Sequence, residues 1–410
     1  MASVAANAHT KTYRIAIVLI VGMFAIWGLA HQLYDTLLPE FATALSLNDL
    51  QTNIAQWTLS LGYGLMAIPA AMLTRNFGYK SGVVFGLGLY AVGMFIFYPA
   101  AAQQQYFFLL SAALVAGCGL ALLEVAADPL IVRLGPVETA VRRLNIAQAL
   151  NPIGVVLGFF VGRWIVQAVL QSPAAQLAHT LVGPYFLIGA GVLFFAFLVD
   201  NVQFPKTATE RVAKDDNTIA DFRKLFSQRI YMLGAGALLL CSMTQVVMWG
   251  FTIRYARMAM PELSPTSAAD ILLWALFAFT GGRIVGTALM FAVDPSRLLA
   301  IFAACGSVLA AVAAFAGGQI GIWCIIGASF FLSIVFPTIF GNAIRDLGPQ
   351  TKSGAAFLML CAGTGAIVLA TSNLLVGPSA IQYVMFVPSL GFALIAVYAT
   401  VFHRADKLAK

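Results

Sequence analysis

The stretch GCGLALLEVAADPL, residues 117–130, carries Glu124, and no charged residue precedes that acid back to Lys80. An uncharged run of this length crosses a bilayer twice, because one spanning helix takes about 20 apolar residues. A carboxylate in hydrocarbon costs about 3 kcal/mol or more, so an acid kept there signals a task. The first apolar segment repeats the pattern. VLIVGMFAIWGLAHQLYDTLLP, residues 18–39, holds Asp35 toward its far end. Two acids placed in oil point to a membrane protein that moves protons together with a polar solute.

The rest of the composition agrees. Of 410 residues, 61% are hydrophobic and 10% charged, against about 25% charged in soluble domains. Mean hydropathy is +0.90. Residues 298–344 and 353–402 contain no charge, and each run is split by a turn signal, Gly317-Gly318 and Gly377-Pro378. The N-terminal apolar stretch continues to about Tyr34, too long for the core of a cleavable signal. The five cysteines (Cys118, Cys241, Cys305, Cys324, Cys361) lie in apolar segments with no paired spacing. They read as packing residues rather than disulfides or metal ligands. No nucleophile–base pair, metal set or nucleotide motif is present, so the sequence predicts neither an enzyme nor a cofactor. The net charge of +7 sits in short loops and is not a nucleic-acid footprint.

Apolar runs set against turn signals predict an all-α membrane protein of twelve spans. They fall near 13–38, 50–74, 81–99, 105–133, 142–170, 181–199, 230–258, 267–291, 297–316, 320–345, 353–376 and 380–403. Every Lys and Arg except Arg163, Arg254, Arg257 and Arg283 lies in a segment that a cytoplasmic N-terminus would place inside. The expected topology is therefore N-in and C-in. A polar stretch, including KTATERVAKDDNTIADFRKLF at 206–226, interrupts the pattern and reads as an inner-surface linker with one amphipathic helix. It divides the chain into residues 1–200, a linker at 201–229, and residues 230–410. PAAMLTRNFGYKSG (69–82) and GTALMFAVDPSRLL (286–299) are similarly placed basic turns in the two parts. Two pseudo-symmetric six-helix halves around a central cavity are a secondary-transporter architecture.

Glu124 on the fourth span and Asp35 on the first are the candidate proton-coupling acids. Burial disfavours the charged form, so such a group can take a proton on one side and release it on the other. For Asp35 the alternative is a charge at the helix end. His31, one turn earlier, could share a proton with it or could simply face outer water. Asp128 is a turn beyond Glu124, either a second acid or a helix-end residue before Pro129. On the fifth span Asn145, Gln148 and Asn151 fall on one stripe, offering amides to hydroxyls or bonds between helices. Pro152 frees a backbone carbonyl at that level. Arg163 lies at the depth of Asp35, and an ion pair between them would hold Asp35 ionised until it opened. Gln245 and Trp249, one turn apart on the seventh span, suit a sugar: the indole covers C–H faces while the amide takes hydroxyls. Arg283, in TGGRIVG, reads as structural. The strings AGCGLALL and FAGGQIGIW read as helix-packing surfaces.

These residues resemble the L-fucose–proton symporter family of the major facilitator superfamily, which also holds bacterial glucose/galactose, fructose and related sugar permeases. The matching stretches are YDTLLPEF (34–41), SLGYGLMAIPAA (60–71), FGYKSGVVFGLGLYAVG (77–93), LLEVAADPLIVRLGP (122–136), RRLNIAQALNPIG (142–154), WGFTIRYA (249–256), GGRIVGT (281–287), FPTIF (336–340) and LGPQTKSGAAF (347–357). The segment around Glu124 and the stretch 142–154 are specific; the others are weak alone. The resemblance implies that Asp35 and Glu124 titrate and that Gln148 and Asn151 contact sugar, with Glu124 and Gln32 beside them. The family pattern has Asn at the positions of His31, Gln32, Tyr34 and Asp128, and a neutral polar residue at Arg163. The outer vestibule thus differs, and a hexose or ketose fits as well as L-fucose. The expectation is a monomeric proton-coupled monosaccharide symporter of a bacterial inner membrane, its partners being sugar, proton and lipid bilayer. A proton-independent facilitator and a cation or drug antiporter remain alternatives.

Overall fold

The computed structural model describes residues 2–103, 105–170, 177–204, 218–363 and 380–409. Among these the chain is helical, joined by short turns. The helices are α1 (Ala2–Ala44), α2 (Asp49–Phe77), α3 (Tyr79–Gln103), α4 (Tyr106–Arg133), α5 (Ala140–Gln148), α6 (Leu150–Leu170), α7 (Leu177–Asn201), α8 (Thr218–Ser227), α9 (Arg229–Ala259), α10 (Pro265–Leu289), α11 (Pro295–Ala316), α12 (Gly318–Leu332), α13 (Val335–Ile344), α14 (Thr351–Gly363) and α15 (Phe386–Ala409). Ten segments are long and apolar enough to cross a membrane, and α2, bent by 48° near Pro69, makes an eleventh. The C-terminal part of the span expected at 353–376, the Gly377-Pro378 turn and linker residues 205–217 lie outside the described residues.

Several boundaries differ from the expectation, each for a local reason. The first helix does not stop at residue 38 but passes Pro39 to Ala44. Pro39 lacks an amide hydrogen, so the Asp35 carbonyl loses its helical donor without the helix ending. The fifth span is two helices. α5 ends at Gln148 and α6 begins at Leu150, just before Pro152, whose missing donor frees the Gln148 carbonyl. The tenth span is likewise split between Leu332 and Val335. The twelfth begins as a 3-10 turn at Tyr383–Met385 and becomes α-helical only at Phe386. Gly317 and Gly318 take φ of 63° and 53°, a region side chains avoid, so the predicted break at this pair is a real turn.

By contacts the chain forms two compact units, Met1–Gly135 with Leu150–Asp216, and Pro136–Ala149 with Asn217–Lys410. In the first, small residues let backbones touch, as membrane helices require without a hydrophobic drive between them. A Cβ on Gly28 would meet the Asn151 carbonyl, and one on Gly154 the Ala25 carbonyl, so α1 and α6 cross on glycine. Gly117, in the AGCGLALL string, does the same for α4 against Leu59 of α2. Phe97 stacks on Tyr185 at 4.0 Å, locking α3 to α7.

The second unit is tied by hydroxyl-to-carbonyl bonds, Tyr231 to Gly354 at 2.8 Å and Tyr255 to Ala313 at 2.7 Å, and by Gly321 against the Tyr255 hydroxyl. α8 is amphipathic, with Leu225 buried next to exposed Arg223 and Lys224, and Phe226 meets Phe357 of α14 at 5.0 Å. At one end of this unit Asp294 caps α11 by accepting from the Ser296 and Arg297 amides at 3.0 and 3.1 Å. His403 lies 3.1 Å from the same carboxylate. Arg345 pairs with Asp346 and Asp406. Burial works against the Arg345 charge, but the two carboxylates outweigh it and hold its pKa above the ordinary value.

Candidate proton and substrate site

The first unit places both predicted acids on well-supported helix. Asp35 sits nine residues before the end of α1 and so is not a helix-end charge. Its Oδ2 is 4.0 Å from His31 Nδ1, and about a third of each side chain is exposed. One turn of helix brings them together, as i,i+4 spacing predicts. Gln32 donates from Nε2 to Thr36 Oγ1 at 3.1 Å, and Thr36 in turn donates to the Gln32 carbonyl at 2.8 Å. Arg163 is level with this group, because Gly162 packs against Thr36. The expected Asp35–Arg163 pair is nevertheless not formed; Arg163 is exposed, and the cation-forming neighbour of Asp35 is His31.

Glu124 and Asp128 share one face of α4, a turn apart. Glu124 is half-buried and Asp128 fully buried. α4 continues through Pro129 to Arg133, so Asp128 is an interior residue and not a terminal one. Sequence reasoning missed the aromatic hydroxyls near these acids. Tyr63 of α2 lies within electrostatic reach of Glu124, Asp128 and Tyr90, with Trp27 beside it. Tyr90 of α3 is in reach of Asp35, and its buried hydroxyl has no hydrogen-bond partner among the described residues. A buried hydroxyl without a partner is costly. The signal that could have found these tyrosines is a phenol in an otherwise apolar span.

The three amides predicted on one stripe have different fates, because each meets a different neighbour. Asn151, on α6, donates from Nδ2 to the Phe24 carbonyl at 3.3 Å and is pinned to α1 in the first unit. Asn145 and Gln148, on α5, belong to the second unit. Asn145 is fully buried and donates to the Val141 carbonyl and Thr338 Oγ1 at 3.0 and 3.2 Å, the interhelical role. Gln148 is buried, and its carbonyl accepts from Arg283 Nη1 at 3.3 Å. That is the carbonyl Pro152 frees, so a structural role for Arg283 has a specific acceptor. In the same unit Trp249 donates from Nε1 to Ser329 Oγ at 3.2 Å. Its ring meets Phe279 edge-on at 5.0 Å, and the Arg283 guanidinium lies 4.9 Å from the Phe279 ring centroid. Gln245 is a half-buried residue one turn before Trp249. Among the described residues no cluster of His, Cys, Asp and Glu could hold a metal.

Long apolar helices that cross on glycine, with ionisable and amide side chains kept inside them, define a multi-pass membrane transporter rather than an enzyme. The profile of the Major Facilitator Superfamily matches residues 15–371. The L-fucose-proton symporter of Escherichia coli is 32% identical, over 95% of this chain and 94% of its own. A glucose/galactose transporter of Brucella abortus is 29% identical over 95% of each chain. The crystal structure of the E. coli fucose:proton symporter superimposes with a TM-score of 0.87 at 31% identity, covering 95% of this chain and 99% of that one. The chain belongs to the major facilitator superfamily and, within it, to the family of the L-fucose-proton symporter, whose fold of twelve transmembrane helices it shares.

Proposed function

We propose that this protein is a proton-coupled monosaccharide symporter that works by alternating access. The observation that carries the reading is Glu124, an acid kept midway along a spanning helix beside a second acid and a tyrosine hydroxyl. The names of the relatives, an L-fucose-proton symporter and a glucose/galactose transporter, support it. Asp35 controls proton entry, tuned by His31 across 4.0 Å. Glu124 couples the proton to sugar, since a neutral carboxyl donates a hydrogen bond that a carboxylate cannot. Gln32, Gln148, Asn151, Gln245 and Trp249 supply amides and an aromatic face to the sugar. Residues 1–200 and 230–410 act as two halves that rock about the sugar, joined by the 201–229 linker on the inner surface, with both termini cytoplasmic and the protein monomeric. A membrane potential supplies about 2.3 kcal/mol per charge per 100 mV, which drives accumulation.

In reconstituted vesicles Glu124→Gln abolishes pH-driven uptake but leaves sugar counterflow, because an amide still hydrogen-bonds but carries no proton. Loss of both activities, or survival of driven uptake, overturns the role given to Glu124. Adding sugar to weakly buffered cells alkalinises the medium in symport. A facilitator leaves the external pH unchanged, and an antiporter acidifies it.

A further inference from the structure

We propose that Ser329 and Phe279 are positioning residues for sugar recognition: they fix the Trp249 indole so that it meets the substrate with its ring face and not with its N–H. The inference rests on the placement of Trp249 at the sugar and adds two residues that act through it. Trp249 stands on α9, Phe279 on α10 and Ser329 on α12, all within the second compact unit. Ser329 is 0% and Phe279 9% exposed, whereas Trp249 is half-buried. Of the three, the indole is the one with substantial surface left for a ligand.

The hydroxyl hydrogen of Ser329 is committed to the Ile325 carbonyl at 3.0 Å, which leaves its oxygen as an acceptor. That oxygen takes the Trp249 Nε1–H at 3.2 Å. Indole has one donor and no acceptor, so with Ser329 bound the ring has no hydrogen bond left to offer sugar hydroxyls. What remains is a π surface suited to the C–H face of a sugar ring. Phe279 adds a second restraint. The two ring centroids are 5.0 Å apart and the planes stand at 82°, an edge-to-face arrangement that disfavours rotation of either ring. The Arg283 guanidinium lies 4.9 Å from the Phe279 centroid and donates to the Gln148 carbonyl at 3.3 Å. The ring that braces the indole is thus itself tied to the backbone of a second proposed sugar residue. Both restraints have a rigid mounting. Gly282 of α10 lies so close to the Phe330 carbonyl of α12 that a Cβ would not fit. The two helices therefore meet at backbone contact, next to Ser329 and one turn from Phe279. Without these partners the indole spreads over its other staggered rotamers, and its face is no longer held for the substrate.

The test combines a spectroscopic signature with sugar counterflow, both on the full-length protein. In protein labelled with 15N-tryptophan, the Trp249 indole resonance is the one of six that Trp249→Phe deletes. Ser329→Ala should move that resonance upfield, as a lost hydrogen bond requires, and raise half-saturating sugar about fivefold, the worth of one hydrogen bond. Phe279→Leu should raise it about threefold, at the low end for an aromatic pair. In a Trp249→Phe background Ser329→Ala should add nothing, because a phenyl ring has no N–H to lose. A Trp249 resonance that Ser329→Ala leaves in place overturns the proposal. So does an equal rise in half-saturation in both backgrounds, which would make Ser329 a purely structural residue. Unchanged half-saturation in Phe279→Leu removes Phe279 from the role. If the resonance moves while half-saturation in Ser329→Ala stays put, the positioning role is refuted, and Trp249→Ala identifies the fault. A raised half-saturation in Trp249→Ala leaves the indole at the sugar, and an unchanged one withdraws that placement as well.

Discussion

The α1–α6 crossing makes a quantitative demand on one glycine. A Cβ at Gly28 would stand against the Asn151 carbonyl oxygen, inside any contact distance, with the Asn151 carbon at 3.0 Å and the Val155 nitrogen at 3.1 Å. All three are backbone atoms, so no side chain can swing away; the helices must separate. Gly28→Ala therefore costs about 1–3 kcal/mol of overpacking, less the roughly 1 kcal/mol that alanine returns in helix propensity. Gly22 is the internal control. It lies on the same helix with nothing within 4 Å, so Gly22→Ala keeps the propensity gain alone. The assay is the midpoint of reversible unfolding in mixed detergent, with sugar affinity measured by counterflow. Gly28→Ala should unfold earlier than the unaltered protein and Gly22→Ala later. Since the contact is to the backbone of Asn151, the Gly28 variant should also bind sugar more weakly. Equal stability of the two variants would refute the close crossing, and with it the placement of Asn151 against α1.

Further outcomes follow from the same geometry. Tyr90→Phe deletes a buried hydroxyl that has no hydrogen-bond partner among the described residues, so it should raise stability by up to about 1 kcal/mol while slowing proton-driven uptake; lower stability would show that the hydroxyl is structural. Trp249→Phe loses the bond to Ser329, about 1 kcal/mol, but keeps an aromatic face, so half-saturating sugar should rise far less than in Trp249→Ala; equal effects would remove the indole from the sugar site. Asp406→Ala strips Arg345 of its part-buried partner and should destabilise more than Asp346→Ala, whose carboxylate is 67% exposed and worth under about 1 kcal/mol; chemical unfolding of the two variants decides it.

The spans and the two acids were legible because partition into hydrocarbon sums over neighbouring residues. Glu124 and Asp35 stand out against long uncharged runs, and Gly317-Gly318 marks a turn that needs no partner to explain it. The fate of the helix-5 amides was not legible. Asn145, Gln148 and Asn151 share a stripe on an ideal helix, yet Asn151 bonds the Phe24 carbonyl and Asn145 bonds Thr338. The freed Gln148 carbonyl follows from Pro152, but its acceptance of Arg283 depends on a residue 135 positions away. Arg163 illustrates the same limit: depth along the chain placed it level with Asp35, while in the structure it is exposed and forms no ion pair with that acid.

Membrane embedding, the number of crossings and the need for interior acids thus reside in the order of residues alone, since each is a property of one segment in its solvent. Which helices touch, that Gly28, Gly154, Gly158 and Gly162 carry the crossing, and that Tyr63 lies near Glu124 and Tyr90 near Asp35 were decided only on folding. Those relations are distances between groups far apart in the chain, and close packing, which tolerates no extra methyl at the crossing, selects them.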